Sequence, residues 1–278
     1  MRSQWYKNVT TRVAQVMFVV IFFASIVISS SASAADQLAL FRNAASGNTK
    51  DNVSISPYGA NLALALVVPG TKGDTETELK SLLGYEGDIS ELAKSLKITE
   101  YAQDGSPLKT ATSLWVQQGF NVFPAFTDTA KKNFASEIQN VDFIANSNAA
   151  CNSINEWVDK NTMSKIKKLF NELSSDTRLI AISAIYFLAD WRTKFKTNET
   201  KEEDFTLLNG EKKKVQMMRN NKVNFNYGVG LNATWIEMPY KNNGFSAVVI
   251  LPNKGVDPAD MIENFSPIDF INTLKTMK

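Results

Sequence analysis

Histidine does not occur once in the 278 residues, and Cys151 is the only thiol. Without an imidazole there is no Ser-His-Asp or Cys-His nucleophile system, no HExxH zinc site and no mixed Cys/His zinc site. A single cysteine excludes CxxC redox chemistry and an all-cysteine metal site, and it forms no intrachain disulfide. Cys151 reads as a small buried apolar residue, with an intermolecular or reactive thiol as the alternative. Glu202-Glu203-Asp204 places three carboxylates side by side, but a consecutive acidic run reads as solvated surface, and no nucleophile accompanies it. Gly228-x-Gly230 lacks the third glycine and the following helix of a dinucleotide site. The expectation is therefore a protein that is not an enzyme and uses no cofactor and no catalytic metal.

What remains is binding. Lys212-Lys213-Lys214, and the group Lys165, Lys167 and Lys168, are the basic clusters. A glycosaminoglycan contact is one reading of them, and solvated turns the commoner one. The sequence has a net charge of +2 and a pI of about 8.4. Much of that basicity sits at the N-terminus, where Arg2, Lys7 and Arg12 precede the apolar run Val16 to Ile28. That run is too short to cross a bilayer as a helix, which takes about 20 residues. Ser29 to Ala34 follows with small residues, and Ala32-Ser33-Ala34 fits an A-x-A cleavage pattern. Residues 1–34 are thus expected to be a secretory signal peptide, and residues 35–278 an exported domain without stable membrane insertion. The leader holds three basic residues and no acidic one, so its removal takes the net charge from +2 to −1. A near-neutral chain gives no electrostatic reason to expect nucleic acid.

The elements that must position any binding surface divide along the chain. Leu38, Leu40 and Phe41 open a helical stretch ending near Gly47; Asn52 to Pro57 reads as a short strand and turn. An apolar helix follows from Ala60 to Val68. Thr75 and Glu78 match a capping box ahead of Leu79, Leu82 and Leu83. Thr110 to Val116 reads as a strand, Thr127 to Phe134 as a helix, and Ala150 to Lys160 as a helix with Cys151, Ile154, Trp157 and Val158 on one stripe. The run Leu179 to Leu188 is almost wholly apolar and predicts a central strand buried on both faces. Phe205 to Leu208 and Val215 to Met218 flank Asn209-Gly210, which predicts a hairpin with a type I′ turn. Val223 to Tyr227, Thr234 to Met238 and Phe245 to Leu251 are further strands, and Asp257 to Lys278 is helical with a break at Pro267. Helices concentrate in the first half and strands in the second, so the class is α+β with a large sheet.

Several of these segments resemble, in order, those of the serpin family. Asn52-Val53-Ser54-Ile55-Ser56-Pro57 with the apolar helix and Gly70-Thr71-Lys72-Gly73-Asp74-Thr75 resembles the family's opening. Ile154-Asn155-Glu156-Trp157-Val158 with Lys165-Ile166 looks like its helix crossing the main sheet. Ser183-Ala184-Ile185-Tyr186-Phe187-Leu188-Ala189-Asp190-Trp191 looks like its central strand. Phe205, Val215-Gln216-Met217-Met218, Phe225-Asn226-Tyr227, Glu237-Met238-Pro239-Tyr240 and Val248-Val249-Ile250-Leu251-Pro252-Asn253 continue the match.

The resemblance implies a serpin fold, with a large mostly antiparallel sheet, smaller sheets and about eight helices. It also implies a serine-type endopeptidase inhibitor, whose partner is an extracellular serine or cysteine protease. Such an inhibitor offers a loop as bait and, once cleaved, inserts it into the main sheet as an added strand. Ser56 and Pro57 match the shutter beneath the sheet centre, and Trp191 matches the breach where insertion begins. Gly59 stands where the family usually has serine, and Ser183 where it usually has asparagine; both changes shorten hydrogen-bonding reach. The segment from Asp88 to Leu108 holds only Lys94 and Lys97, so heparin activation is unsupported. The family's hinge, reactive loop and closing strands have no match up to Lys278, so the chain as written is expected to be incomplete or inactive as a trap. A non-inhibitory relative with a ligand-binding, storage or decoy role is the alternative. Asn198-Glu199-Thr200 and Asn232-Ala233-Thr234 are the sequons expected to carry N-glycans on an exported chain.

Overall fold

The computed structural model describes residues 21–24, 40–44, 53–85, 87–96, 106–207, 209–220, 223–241, 244–264 and 267–277. Its elements begin with β1 (Ile21–Ala24), α1 (Pro57–Val67), α2 (Asp74–Leu82) and α3 (Ile89–Ser95). They continue as β2 (Leu108–Gln117), α4 (Pro124–Phe134), β3 (Glu137–Val141), α5 (Ser147–Asn161) and β4 (Leu179–Phe187). The hairpin of β5 (Lys201–Thr206) and β6 (Lys212–Met217) is followed by β7 (Asn226–Gly230), β8 (Ala233–Pro239) and β9 (Phe245–Pro252). Helices α6 (Pro258–Glu263) and α7 (Pro267–Thr276) close the described chain. Contacts divide it into two units, one of Ser54–Leu188 with Ile26–Gln37, the other of Met1–Ser25, Leu38–Val53 and Ala189–Lys278.

In the first unit α1 starts where the sequence gives it a start. The Ser56 side chain accepts a hydrogen bond from the Gly59 amide at 3.1 Å, and Pro57 occupies the first turn, where its missing N–H costs nothing. Leu62, Ala65 and Leu66 on α1 are fully buried with Leu114, Phe126, Ala130 and Phe134. The sheet runs β3-β2-β4, with β2 parallel to β3 and antiparallel to β4. Along β4, Leu179 and Ala181 pack on the α1 cluster, whereas Ile180, Ile182 and Ala184 pack on Trp115, Ile154, Trp157 and Val158. Both faces are covered, which accounts for the unbroken apolar run. The expected central position is not seen: β2 is the middle strand, and β4 has one partner among the described residues. Apolar content reports cover above and below a strand, not which edges find partners.

In the second unit β7, β8 and β9 form an antiparallel meander around Trp235, Val248, Ile250 and Met261. β1 pairs with the outer edge of β9, from Ile21↔Val248 to Ala24↔Phe245.

Three local expectations are corrected. Residues 53–56 are irregular rather than a strand; Ser56 caps a helix, and its neighbours have no strand to pair with. The Thr75–Glu78 capping box does not form, because α2 begins at Asp74 behind Gly73, whose φ of +61° is open to glycine, and Thr75 already lies inside the helix. Asn209-Gly210 is not a type I′ turn: Gly210 has φ +86° but Asn209 is not left-handed, and the loop spans Leu207–Glu211. The two-residue turn with both central residues left-handed lies instead at Leu231-Asn232, φ +56° and +58°, between Gly230 and Ala233. There the β7–β8 ladder and the buried Trp235 hold a leucine in a conformation costing about 1 kcal/mol.

Candidate functional site

The residues matched to the opening region lie where α1 meets β4. A Cβ built on Gly59 would stand 2.9 Å from Ile185 Cδ1 and 3.3 Å from Ser56 Oγ. Glycine at this helix position therefore permits the close approach, and the contact between helix and strand is apolar. The Ser56 hydroxyl is used in the cap. Ser183, directly opposite Thr112 across the β2–β4 ladder, has a buried hydroxyl without a partner. Thr112 itself donates to the Phe134 carbonyl at 2.9 Å, while Thr110, one pair along and opposite Ile185, also has a buried unpaired hydroxyl. The structure thus brings Ser56, Pro57, Gly59 and Ile185 together and lines up three hydroxyls on the ladder, two of them unsatisfied. A buried hydroxyl without a partner costs about 1–3 kcal/mol.

Trp191 belongs to the other unit. It bridges to Tyr240 and stacks on it, with ring centroids 4.4 Å apart at 10°, and meets Phe195 edge-on at 6.5 Å and 82°. The backbone locks the pair: Arg192 N donates to the Pro239 carbonyl and Lys241 N to the Asp190 carbonyl. Burial pushes the Tyr240 phenol up from its ordinary range.

The basic and acidic clusters neutralise each other. On the β5–β6 hairpin Asp204 faces Lys214 at 2.7 Å and Lys212 at 3.6 Å, and Glu203 faces Arg219 at 2.6 Å. The hydrogen bond from Lys214, then its charge, holds the Asp204 carboxyl below the usual range. Two of the three hairpin lysines are engaged, which weakens any glycosaminoglycan reading. Lys165, Lys167 and Lys168 are exposed on an irregular segment after α5. Gly228 and Gly230 lie against Met277 and Thr273 of the terminal helical segment, so they serve packing and not a phosphate. No group of three metal-ligating side chains occurs among the described residues. No described helix is long and apolar enough to cross a membrane.

Cys151 is buried, as expected, with its sulfur 3.4 Å from the Phe170 carbonyl. The residue sequence reading missed is Asn155. Its Oδ1 accepts from the Leu169 and Phe170 amides at 2.7 and 3.0 Å, and its Nδ2 donates to the Phe170 carbonyl at 2.9 Å. Asn155 therefore ties the segment after α5 back onto the helix. The available signal was a polar residue at i+4 from Cys151, inside an apolar stripe. Asn198 lies in a 3-10 turn and Asn232 at the β7–β8 turn, and both are exposed.

The Serpin family model (serine protease inhibitor) matches residues 32–278. The chain belongs to the serpin family. It is 34% identical over 208 residues to an uncharacterised serpin-like protein of Methanosarcina mazei, covering 73% of this chain and 49% of that one. It is 33% identical over 231 residues to the leukocyte elastase inhibitor of Sus scrofa, covering 81% and 61%. Among solved structures it is similar to the thermophilic serpin Tengpin in the latent state, with a TM-score of 0.79 at 26% identity, covering 92% of this chain and 69% of that one. The chain spans about half to three-fifths of the length of these curated relatives. The fold is α+β and of the serpin type, as the ordered series of segments implied.

Proposed function

We propose that this chain is part of an exported serpin that inhibits a serine-type endopeptidase. The family match over residues 32–278, whose description is that of serine protease inhibitors, carries the reading. The similarity to a leukocyte elastase inhibitor supports the same target class. In this proposal Ser56, Pro57, Gly59 and Ser183 form the region where the sheet opens, and Trp191 with Tyr240 holds the end where insertion begins. Protease trapping depends on a hinge and reactive loop, which no segment of the 278 residues matches. The trap is therefore a property of the longer protein.

Export is proposed from the basic, apolar and small-residue order of residues 1–34, with N-glycans at Asn198 and Asn232. The family match begins at residue 32, close to the expected cleavage after Ala34. The proposal is tested by incubating the product of the extended reading frame, and this chain alone, with elastase-, trypsin- and chymotrypsin-type proteases. The longer product should give an SDS-stable 1:1 complex, and this chain none. Plain cleavage of the longer product, with no stable complex for any of the three, would sink inhibition. Sequencing the N-terminus of the chain recovered from the medium should read from Ala35.

One observation favours a non-inhibitory relative as the second reading. Apolar contact at Gly59–Ile185 and an unsatisfied Ser183 hydroxyl stand where polar reach is expected. A longer product that is cleaved without gaining thermal stability would select it.

A further inference from the structure

The strand β1 is drawn from the apolar run read above as an export leader. Ile21–Ala24 is antiparallel to β9, in the register Ile21↔Val248, Phe22↔Ala247, Phe23↔Ser246 and Ala24↔Phe245. The two partners come from opposite ends of the chain, so this is not a local hairpin. The other edge of β9 is already taken by β8, from Ala233↔Pro252 to Pro239↔Ser246. β9 is strongly apolar, and Ala247, Val248 and Ile250 are buried. An apolar strand with an open edge presents a row of unpaired N–H and C=O groups and must be paired or covered. The leader run suits that edge by composition. Ile21-Phe22-Phe23 is β-branched and aromatic, with no charge and no proline, which favours a strand as much as a leader.

We propose that the Phe245–Val248 edge of β9 is a strand-acceptor site, and that the leader's apolar run is its occupant in the unprocessed chain. Folding before processing buries the leader in the sheet, and cleavage after Ala34 bares the edge. Only the cleavage step rests on the export reading. The pairing itself does not, so failure to find a product starting at Ala35 would remove the switch and leave the site.

The test is hydrogen exchange on the unprocessed full chain, made by cell-free translation without membranes and confirmed intact by mass. Amides in both Ile21–Ala24 and Phe245–Val248 should exchange at least tenfold more slowly than an unstructured chain, independently of protein concentration. Unprotected exchange in Ile21–Ala24 overturns the proposal, and protection that rises with concentration overturns the assignment to one molecule. Adjacent residues of an edge strand point their N–H groups alternately toward and away from the partner, so the double variant F22P/F23P removes a ladder donor in either case. In that variant Phe245–Val248 should lose protection while Ala233–Pro239 keeps it. Unchanged protection of Phe245–Val248 means something else covers the edge, and overturns the proposal. If the variant loses the whole sheet, a lysine-flanked peptide of residues 16–28 added in excess should restore protection at Phe245–Val248. No restoration, or equal restoration by a scrambled peptide, overturns it.

Discussion

Gly59→Ala tests whether the helix–strand contact is set by the absence of one methyl group. The added Cβ would lie 2.9 Å from Ile185 Cδ1, against about 3.5–4.0 Å for comfortable carbon contacts. Overpacking of this kind costs about 1–3 kcal/mol; Cδ1 is the free end of a side chain and can swing, so about 1–2 kcal/mol is expected. Exchanging glycine for alanine inside a helix returns about 1 kcal/mol, which leaves the single variant within about 1 kcal/mol of the parent. Ile185→Val removes Cδ1 and by itself costs about 0.5–1.5 kcal/mol. In the double variant the alanine methyl fills the vacated space, so the two changes should couple favourably by about 1–2 kcal/mol. Urea unfolding monitored by tryptophan fluorescence, with hydrogen exchange of the Leu179–Phe187 amides to locate the effect, measures all four corners of the cycle. Additivity within about 0.5 kcal/mol would refute the steric account of Gly59.

Three further predictions follow from other contacts. Ser183→Ala removes a buried hydroxyl that has no partner and should be neutral or stabilising by up to about 1 kcal/mol, whereas Thr112→Val breaks the bond to the Phe134 carbonyl and should cost about 1–2 kcal/mol by the same urea assay. Asn155→Ala strands the Leu169 and Phe170 amides and should cost about 2–3 kcal/mol; in addition, the Cys151 thiol should react faster with a disulfide reagent, because the segment over it is released. On the β5–β6 hairpin Asp204 is held below, and Lys214 above, its ordinary value, each first through their mutual hydrogen bond and then through charge. Their contribution should be full between about pH 4 and pH 10, fading below as Asp204 protonates and above as Lys214 loses its proton. Amide exchange in Lys201–Met217, corrected for intrinsic rate, should show that window, and 1 M salt should flatten it because the pair is exposed.

The chemistry classes were decided by sequence alone: with no histidine and one cysteine, no arrangement in space could assemble the common nucleophile or zinc sites. The α+β class and the helix stripe of Cys151, Ile154, Trp157 and Val158 were also readable, because periodicity records which faces are covered. Other features needed the tertiary structure. The apolar run at β4 told of packing above and below, but only pairing shows β2 in the middle, since lateral order depends on distant segments. Local turn signals pointed to Asn209-Gly210, yet the left-handed turn is Leu231-Asn232, where ladder register outweighs residue preference. Gly59 and Asn155 are ordinary letters in the sequence. One is defined by the 2.9 Å that a methyl would leave to Ile185, the other by two amides fourteen and fifteen residues away. The leader run carries both a leader's hydrophobicity and a strand's propensity, and only the open edge of β9 makes the second matter.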